Sequence, residues 1–133
     1  MIPTAGRKSQ TKPIRVLAVD DHPVFRAGLA ALLANETDMQ MVGEAATGTE
    51  AIEQFHSLRP DITLLDLQMP DMSGIDALTE IRRVYLSARV IVLTTYAGDV
   101  LAERALRAGA RGYLLKGMIR KEIGRASCRE RVC

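Results

Sequence analysis

Tryptophan is absent from the chain, and the aromatic content is three Tyr and two Phe. Stacking platforms for nucleic-acid bases are therefore missing. Both cysteines, Cys128 and Cys133, fall in the last six residues, so residues 14–121 offer neither a disulfide framework nor a zinc site. No apolar run approaches the roughly 20 residues of a membrane span. The N-terminal stretch MIPTAGRKSQTKP lacks the apolar segment of a signal peptide. The expected location is the cytoplasm, with no membrane partner. No G-x-G-x-x-G follows the first apolar run, which argues against dinucleotide binding. Charge of one sign is also scarce. The net charge is +2, and residues 14–121 hold 12 basic and 14 acidic side chains. The positive balance belongs to the flanks, so no direct nucleic-acid binding is expected of the body of the chain.

What is present is an alternation. The chain has 133 residues, 47% hydrophobic and 26% charged, enough for one domain with a core. After a polar stretch over residues 1–13, read as a flexible tail, IRVLAVDD (14–21) is an apolar run ending in two aspartates. PVFRAGLAALLANE (23–36) has helical spacing, with Val24, Leu29, Leu32 and Leu33 on one face, Pro23 at the first helical position and Asp21 or His22 as cap. Strands are predicted over 39–47, 61–66, 88–95 and 111–116. Helices are predicted from Gly48 to about Leu58, over 74–86 behind the cap Ser73, over 99–110, and from Met118 onward. Five apolar strands alternating with helices predict an α/β domain with a doubly wound parallel sheet covered on both faces.

Such sheets bind ligands beyond the C-terminal ends of their strands. Strand one ends in Asp20–Asp21, strand three in Asp66, strand four in Thr94–Thr95 and strand five in Lys116. Taken singly, each has an ordinary reading as a helix cap, a turn residue, a β-former or a solvated lysine. Together they bring three carboxylates, a hydroxyl and an ammonium to one edge. Clustered carboxylates repel unless a cation neutralises them. An oxygen-only set points to a hard ion, Mg²⁺ above all. Lys116 suits a phosphoryl oxygen, Thr94 can donate to another, and a carboxylate can be the nucleophile that accepts a phosphoryl group. On this reading, Asp66 ends a buried strand because its position must be rigid while its oxygens stay accessible. His22 has no second His or Cys nearby and reads as a surface residue rather than a ligand.

The stretches VDDHPVFRAGL, DITLLDLQMPDMSG, VIVLTT and GYLLK, in this order and each at a strand end, resemble the receiver domain of bacterial two-component response regulators over about residues 14–121. DDHPVFRAGLAALL resembles most the NarL/FixJ-like subfamily, whose receivers precede a LuxR-type helix-turn-helix output domain. The resemblance implies a flavodoxin-like (CheY-like) fold with strand order 2-1-3-4-5. It implies that Asp66 is the phosphoacceptor, charged by a sensor histidine kinase with Mg²⁺ as cofactor, and that the domain is a phosphoacceptor rather than an enzyme. Asp21 would bind the metal directly, Asp20 mainly through water, and Asp66 and the Gln68 backbone carbonyl would complete the ligands. Thr94 would be the switch hydroxyl, Lys116 the partner of the phosphoryl group and Tyr113 the switch aromatic. Pro70 and Gly74 would shape the adjacent loop, and Gln68 and Tyr96 would tune dephosphorylation. Phosphorylation would favour a homodimer and switch a transcription output that this chain does not include.

Two rivals differ in the same residues. An aspartyl-phosphate hydrolase of the haloacid-dehalogenase type has a second Asp two positions after the nucleophile. Here that position is Gln68, which cannot transfer a proton. A phosphorylation-independent module of the same fold usually lacks a site residue, and none is missing here. The resemblance weakens at the C-terminus, where Gly124 and a polar, Arg-rich stretch break the apolar periodicity after Ile123, so an incomplete fifth helix is expected. EIGRASCRERVC (122–133) resembles the translation of a common sequencing adapter and is read as a non-native tail on a C-terminally truncated chain.

Overall fold

A computed structural model describes residues 12–96 and 98–131, with side chains described as far as Gly124. Most of the expected N-terminal tail (1–11) lies outside the described residues, as does Cys133. The elements are β1 (Ile14–Val19), α1 (Pro23–Ala34), β2 (Met39–Ala45), α2 (Gly48–Leu58), β3 (Ile62–Asp66), α3 (Gly74–Val84), β4 (Val90–Thr94), α4 (Val100–Arg107), β5 (Gly112–Leu115) and α5 (Lys116–Arg131). All strand pairs are parallel. The order across the sheet is β2-β1-β3-β4-β5, so the expected 2-1-3-4-5 topology is met.

The helices start where the sequence supplies caps. Thr47 accepts from the Glu50 N–H and Ser73 from the Asp76 N–H, opening α2 and α3. Asp99 accepts from the Leu101 N–H and opens α4. His22 is the cap residue of α1 but makes no side-chain cap bond; Pro23 follows at the first position.

The period of two along β1 sorts its side chains between two cores. Leu17 and Val19 join Leu65, Val90 and Val92 on the face covered by α2, α3 and α4 through Phe55, Leu78, Ile81, Ala102 and Ala105. Val16 and Ala18 join Leu64 and Leu93 on the face covered by α1 through Phe25 and Leu29. Ile119 of α5 packs at its margin. Among the described residues the first core holds sixteen buried side chains and the second six.

Three expectations are corrected. Val24 is 85% exposed, and Phe25 is the buried residue of the first turn of α1. The inward face is therefore set by Phe25 and Leu29 at i, i+4, with Leu32 and Leu33 only half-buried beside it. Lys116 is the first residue of α5 rather than the last of β5. The backbone of α5 runs helically through Gly124 to Arg131, although its apolar stripe stops at Ile123 as the sequence indicated. A glycine costs a helix about 1 kcal/mol but does not end it, and no proline follows. Ile123 rests over Gly28 of α1, where an added Cβ would lie 2.7 Å from its Cδ1.

Candidate functional site

The C-terminal ends of β1 and β3 meet side by side, because Val19 and Leu65 are register partners. Asp20, Asp21 and Asp66 therefore arrive at one point. Asp20 is fully buried; its N–H donates to the Ala45 carbonyl (3.0 Å), and the Arg26 guanidinium donates to the Asp20 carbonyl (2.5 Å). Asp66 is buried at the last position of β3, and the Gln68 N–H donates to its Oδ1 (3.1 Å). Lys116, also buried, projects from the start of α5. Its Nζ lies 2.6 Å from Asp20 Oδ2 and 3.5 Å from Asp66 Oδ2. The Lys116 ammonium also sits 4.7 Å from the centre of the Phe25 ring, a cation–π contact that holds it over the carboxylates.

Burial pushes the Asp66 carboxyl above the usual carboxylate range. Repulsion from Asp20 and Asp21 adds to this, while the Gln68 N–H and Lys116 pull the other way. The balance is a concentration of negative charge that one ammonium does not cancel. Asp20 Oδ2 and Asp21 Oδ1 are buried without a hydrogen-bond partner; the contacts of Lys116 with Asp20 and of His22 with Asp21 are close charge contacts without hydrogen-bond geometry. Oxygens of Asp20, Asp21 and Asp66, with a nitrogen of His22, lie within 4.8 Å of one another. Orphaned carboxylate oxygens at this spacing fit a small hard divalent cation.

The site opens into a cleft of about 820 Å³ lined by Asp21, Asp66, Gln68, Pro70, Lys116 and Arg120 among others. The loop after Asp66 is held in two ways. Gly74 packs so closely under β3 that a Cβ there would lie 2.4 Å from the Asp66 carbonyl oxygen and 2.6 Å from Leu67 Cα, both backbone atoms that cannot yield. Asp71 accepts from the Gly48 N–H (2.8 Å), the Thr49 N–H (3.0 Å) and the Thr49 hydroxyl (2.7 Å), clamping the loop to the first turn of α2.

Asp20, Asp21, Asp66 and Lys116, which the sequence singled out, thus lie together, and Gln68 joins them through its N–H rather than through the carbonyl that the sequence pointed to. Thr94 is buried at the end of β4 and shares a smaller cavity of about 200 Å³ with Asp66, but its hydroxyl is turned to Asp99 Oδ2 (3.0 Å). Tyr113 lies on β5 as the register partner of Val92 and is 40% exposed; Tyr96 is 70% exposed. His22 is exposed as expected, yet its Nδ1 reaches Asp20 Oδ1 (2.8 Å) and Asp21 Oδ1 (3.2 Å), so it joins the cluster. Asp71 and Asp99 belong to none of the strand-end positions that the sequence marks as a site. The only sequence signal for Asp99 was its place just before an apolar-periodic run. Asp71 had none, since its partners lie more than twenty positions away.

A doubly wound parallel sheet with a buried acidic cluster at the C-terminal edge, where such sheets bind ligands, defines a ligand-binding class of α/β domain. The family profile described as the response regulator receiver domain matches residues 16–126, and the chain belongs to that family. The response regulator protein VraR of Staphylococcus aureus is 42% identical over 113 residues, covering 85% of this chain and 54% of that protein. The chain therefore spans about half the length of the curated relatives it matches. A LuxR-family two-component response regulator from Aurantimonas sp. superimposes with a TM-score of 0.75 at 30% identity, covering 92% of this chain and 100% of that one. A chain of the CheX–CheY complex with BeF₃ and Mg²⁺ from Borrelia burgdorferi superimposes with a TM-score of 0.69 at 28% identity, covering 84% and 87%. The chain is a receiver domain of a two-component response regulator, related to those of LuxR-type regulators.

Proposed function

We propose that this domain receives a phosphoryl group on Asp66 from the phosphohistidine of a sensor histidine kinase, with Mg²⁺ held by Asp20, Asp21 and Asp66. The observation that carries this reading is the buried, incompletely neutralised set of carboxylates facing an open cleft. In the transfer, an Asp66 oxygen forms a bond to phosphorus as the phosphorus–nitrogen bond of the donor breaks. When bound, the metal offsets the negative charge on the phosphoryl group and on Asp66 during attack and departure. The remaining work falls to the chain. β3 and Gly74 hold the Asp66 backbone rigid, so the nucleophile is presented in one orientation. The Gln68 N–H occupies Asp66 Oδ1, and the Gln68 carbonyl would complete the metal's ligands. Lys116 is in reach of Asp66 and would pair with the phosphoryl oxygens. Thr94 and Tyr113 would transmit the new charge, about −1.5 to −2, to the β4–α4–β5 side.

By the same reading the output is a DNA-binding transcription domain outside this chain, phosphorylation favours a homodimer, and the domain assists its own phosphorylation and dephosphorylation in the cytoplasm. Residues 14–121 would form the native receiver and 122–133 a non-native tail. Incubation with acetyl phosphate and Mg²⁺ tests the core of the proposal by intact mass. One phosphoryl group is expected on the wild-type chain and none on Asp66→Asn or without Mg²⁺. Equal uptake by Asp66→Asn would refute it.

A further inference from the structure

The hydroxyl of Thr94 has one proton to give, and in this structure the proton goes to a carboxylate. Thr94 Oγ1 donates to Asp99 Oδ2 at 3.0 Å, while the Tyr96 carbonyl, at 3.4 Å, is a weaker alternative. The other oxygen of Asp99 accepts the Leu101 N–H at 2.8 Å and caps α4. Asp99 thus joins the end of β4 to the start of α4 through one side chain, with an oxygen committed to each. Its backbone reinforces the link, since Asp99 N–H donates to the Tyr96 carbonyl (3.3 Å) and Glu103 N–H to the Asp99 carbonyl (3.1 Å). Thr94, Asp99 and Asp66 line the same small cavity, so a hydroxyl turned to Asp99 is a hydroxyl not turned to Asp66.

We infer that Asp99 is a positioning residue that latches the Thr94 hydroxyl away from Asp66 until a phosphoryl group competes for its proton. The inference rests on the reading of Asp66 as phosphoacceptor. A hydrogen bond from a hydroxyl to a carboxylate is charge-assisted. Only a group of comparable charge in the same cavity, such as phosphoryl oxygens on Asp66, draws the hydroxyl off. Its departure leaves Asp99 Oδ2 without its donor while Oδ1 still caps the helix, so the first turn of α4 loses its tie to β4. The latch opposes the activated state, and its strength sets part of the apparent affinity for any phosphoryl mimic.

The test is a double-mutant cycle read by calorimetric binding of beryllofluoride in excess Mg²⁺. Asp99→Ser keeps a good helix cap but removes the charged acceptor, and Thr94→Val removes the donor. Asp99→Ser is expected to tighten beryllofluoride binding about 3- to 10-fold when Thr94 is present. It should leave binding unchanged in the Thr94→Val background. The same effect in both backgrounds, or none in either, would overturn the latch, because a capping role alone does not depend on the hydroxyl. Three-bond couplings of Thr94 in the unphosphorylated protein give a second readout: one rotamer in wild type and rotamer averaging in Asp99→Ser. A single unchanged rotamer would also overturn the latch. Should Asp99→Ser fail to fold, the isosteric Asp99→Asn is judged by the same criteria with a smaller expected change. Wild-type protein that takes up neither beryllofluoride nor a phosphoryl group would instead refute the phosphoacceptor reading, and the latch with it.

Discussion

Lys116 is the residue on which the charge balance of the acidic site depends most directly. It is buried between Asp20 and Asp66, and no other ammonium among the described residues contacts them. Removing one partner of a buried ion pair leaves an uncompensated charge and costs on the order of 3–5 kcal/mol. Lys116→Met keeps an unbranched side chain of similar length and removes the ammonium, with its ion pairs and its contact with the Phe25 ring. We expect it to lower the free energy of unfolding by about that amount in Mg²⁺-free urea titrations. Added Mg²⁺ should restore more stability to Lys116→Met than to wild type, because the ion takes over part of the neutralisation. An equal Mg²⁺ increment in both proteins would show that Lys116 and the cation answer different charges.

Between elements, the decisive contact is the clamp of Asp71 on α2. The Thr49 hydroxyl, with the Gly48 and Thr49 N–H groups, holds the Asp71 carboxyl down to about 2, against an ordinary value of 3.8. A depressed carboxyl contributes stability that is full above its unfolded value and is lost as the pH falls through its folded value. The window here is from about 4 down to about 2. Asp71→Asn should therefore melt below wild type at neutral pH, with the gap narrowing across that window as the wild-type clamp protonates. A gap that stays constant across it would mean that the clamp works by shape and not by charge. The same variant should slow phosphoryl uptake, since the loop from Gln68 to Ser73 borders the cleft and would lose its tether to α2.

Across the whole molecule, the two faces of the sheet are unequally covered. Among the described residues, the face under α2, α3 and α4 carries the larger core, and the face under α1 and α5 has Phe25 and Leu29 with Ile119 at its margin. The sequence beyond Ile123 supplies almost no apolar residues to α5. Each further apolar side chain buried there would add about 1.5–3 kcal/mol, a large share of a small domain's stability. Replacing residues 124–133 with an amphipathic helix that continues the stripe of Ile119 and Ile123 should raise Tm by several degrees. An unchanged Tm would show that α1 and the first turns of α5 already close that face.

The order of strands and helices, the buried strands and the placing of Asp20, Asp21 and Asp66 at strand ends were all legible in the amino-acid order. They follow from local periodicity and from the general rule for parallel sheets. Phe25 in place of Val24 was not legible, because a helix one residue from its cap can turn either side chain inward and only the sheet beneath chooses. Nor was the start of α5 at Lys116, since by pattern the residue closes a strand while in the folded chain it opens a helix directly, with no intervening loop. The clamp of Asp71 on Gly48 and Thr49 and the hold of Asp99 on Thr94 belong wholly to the folded chain. Short-range sequence encodes which residues are apolar and where turns fall. Which hydroxyl meets which carboxylate across twenty positions, or across one tight loop, is settled when burial leaves each polar group only the partners within its reach.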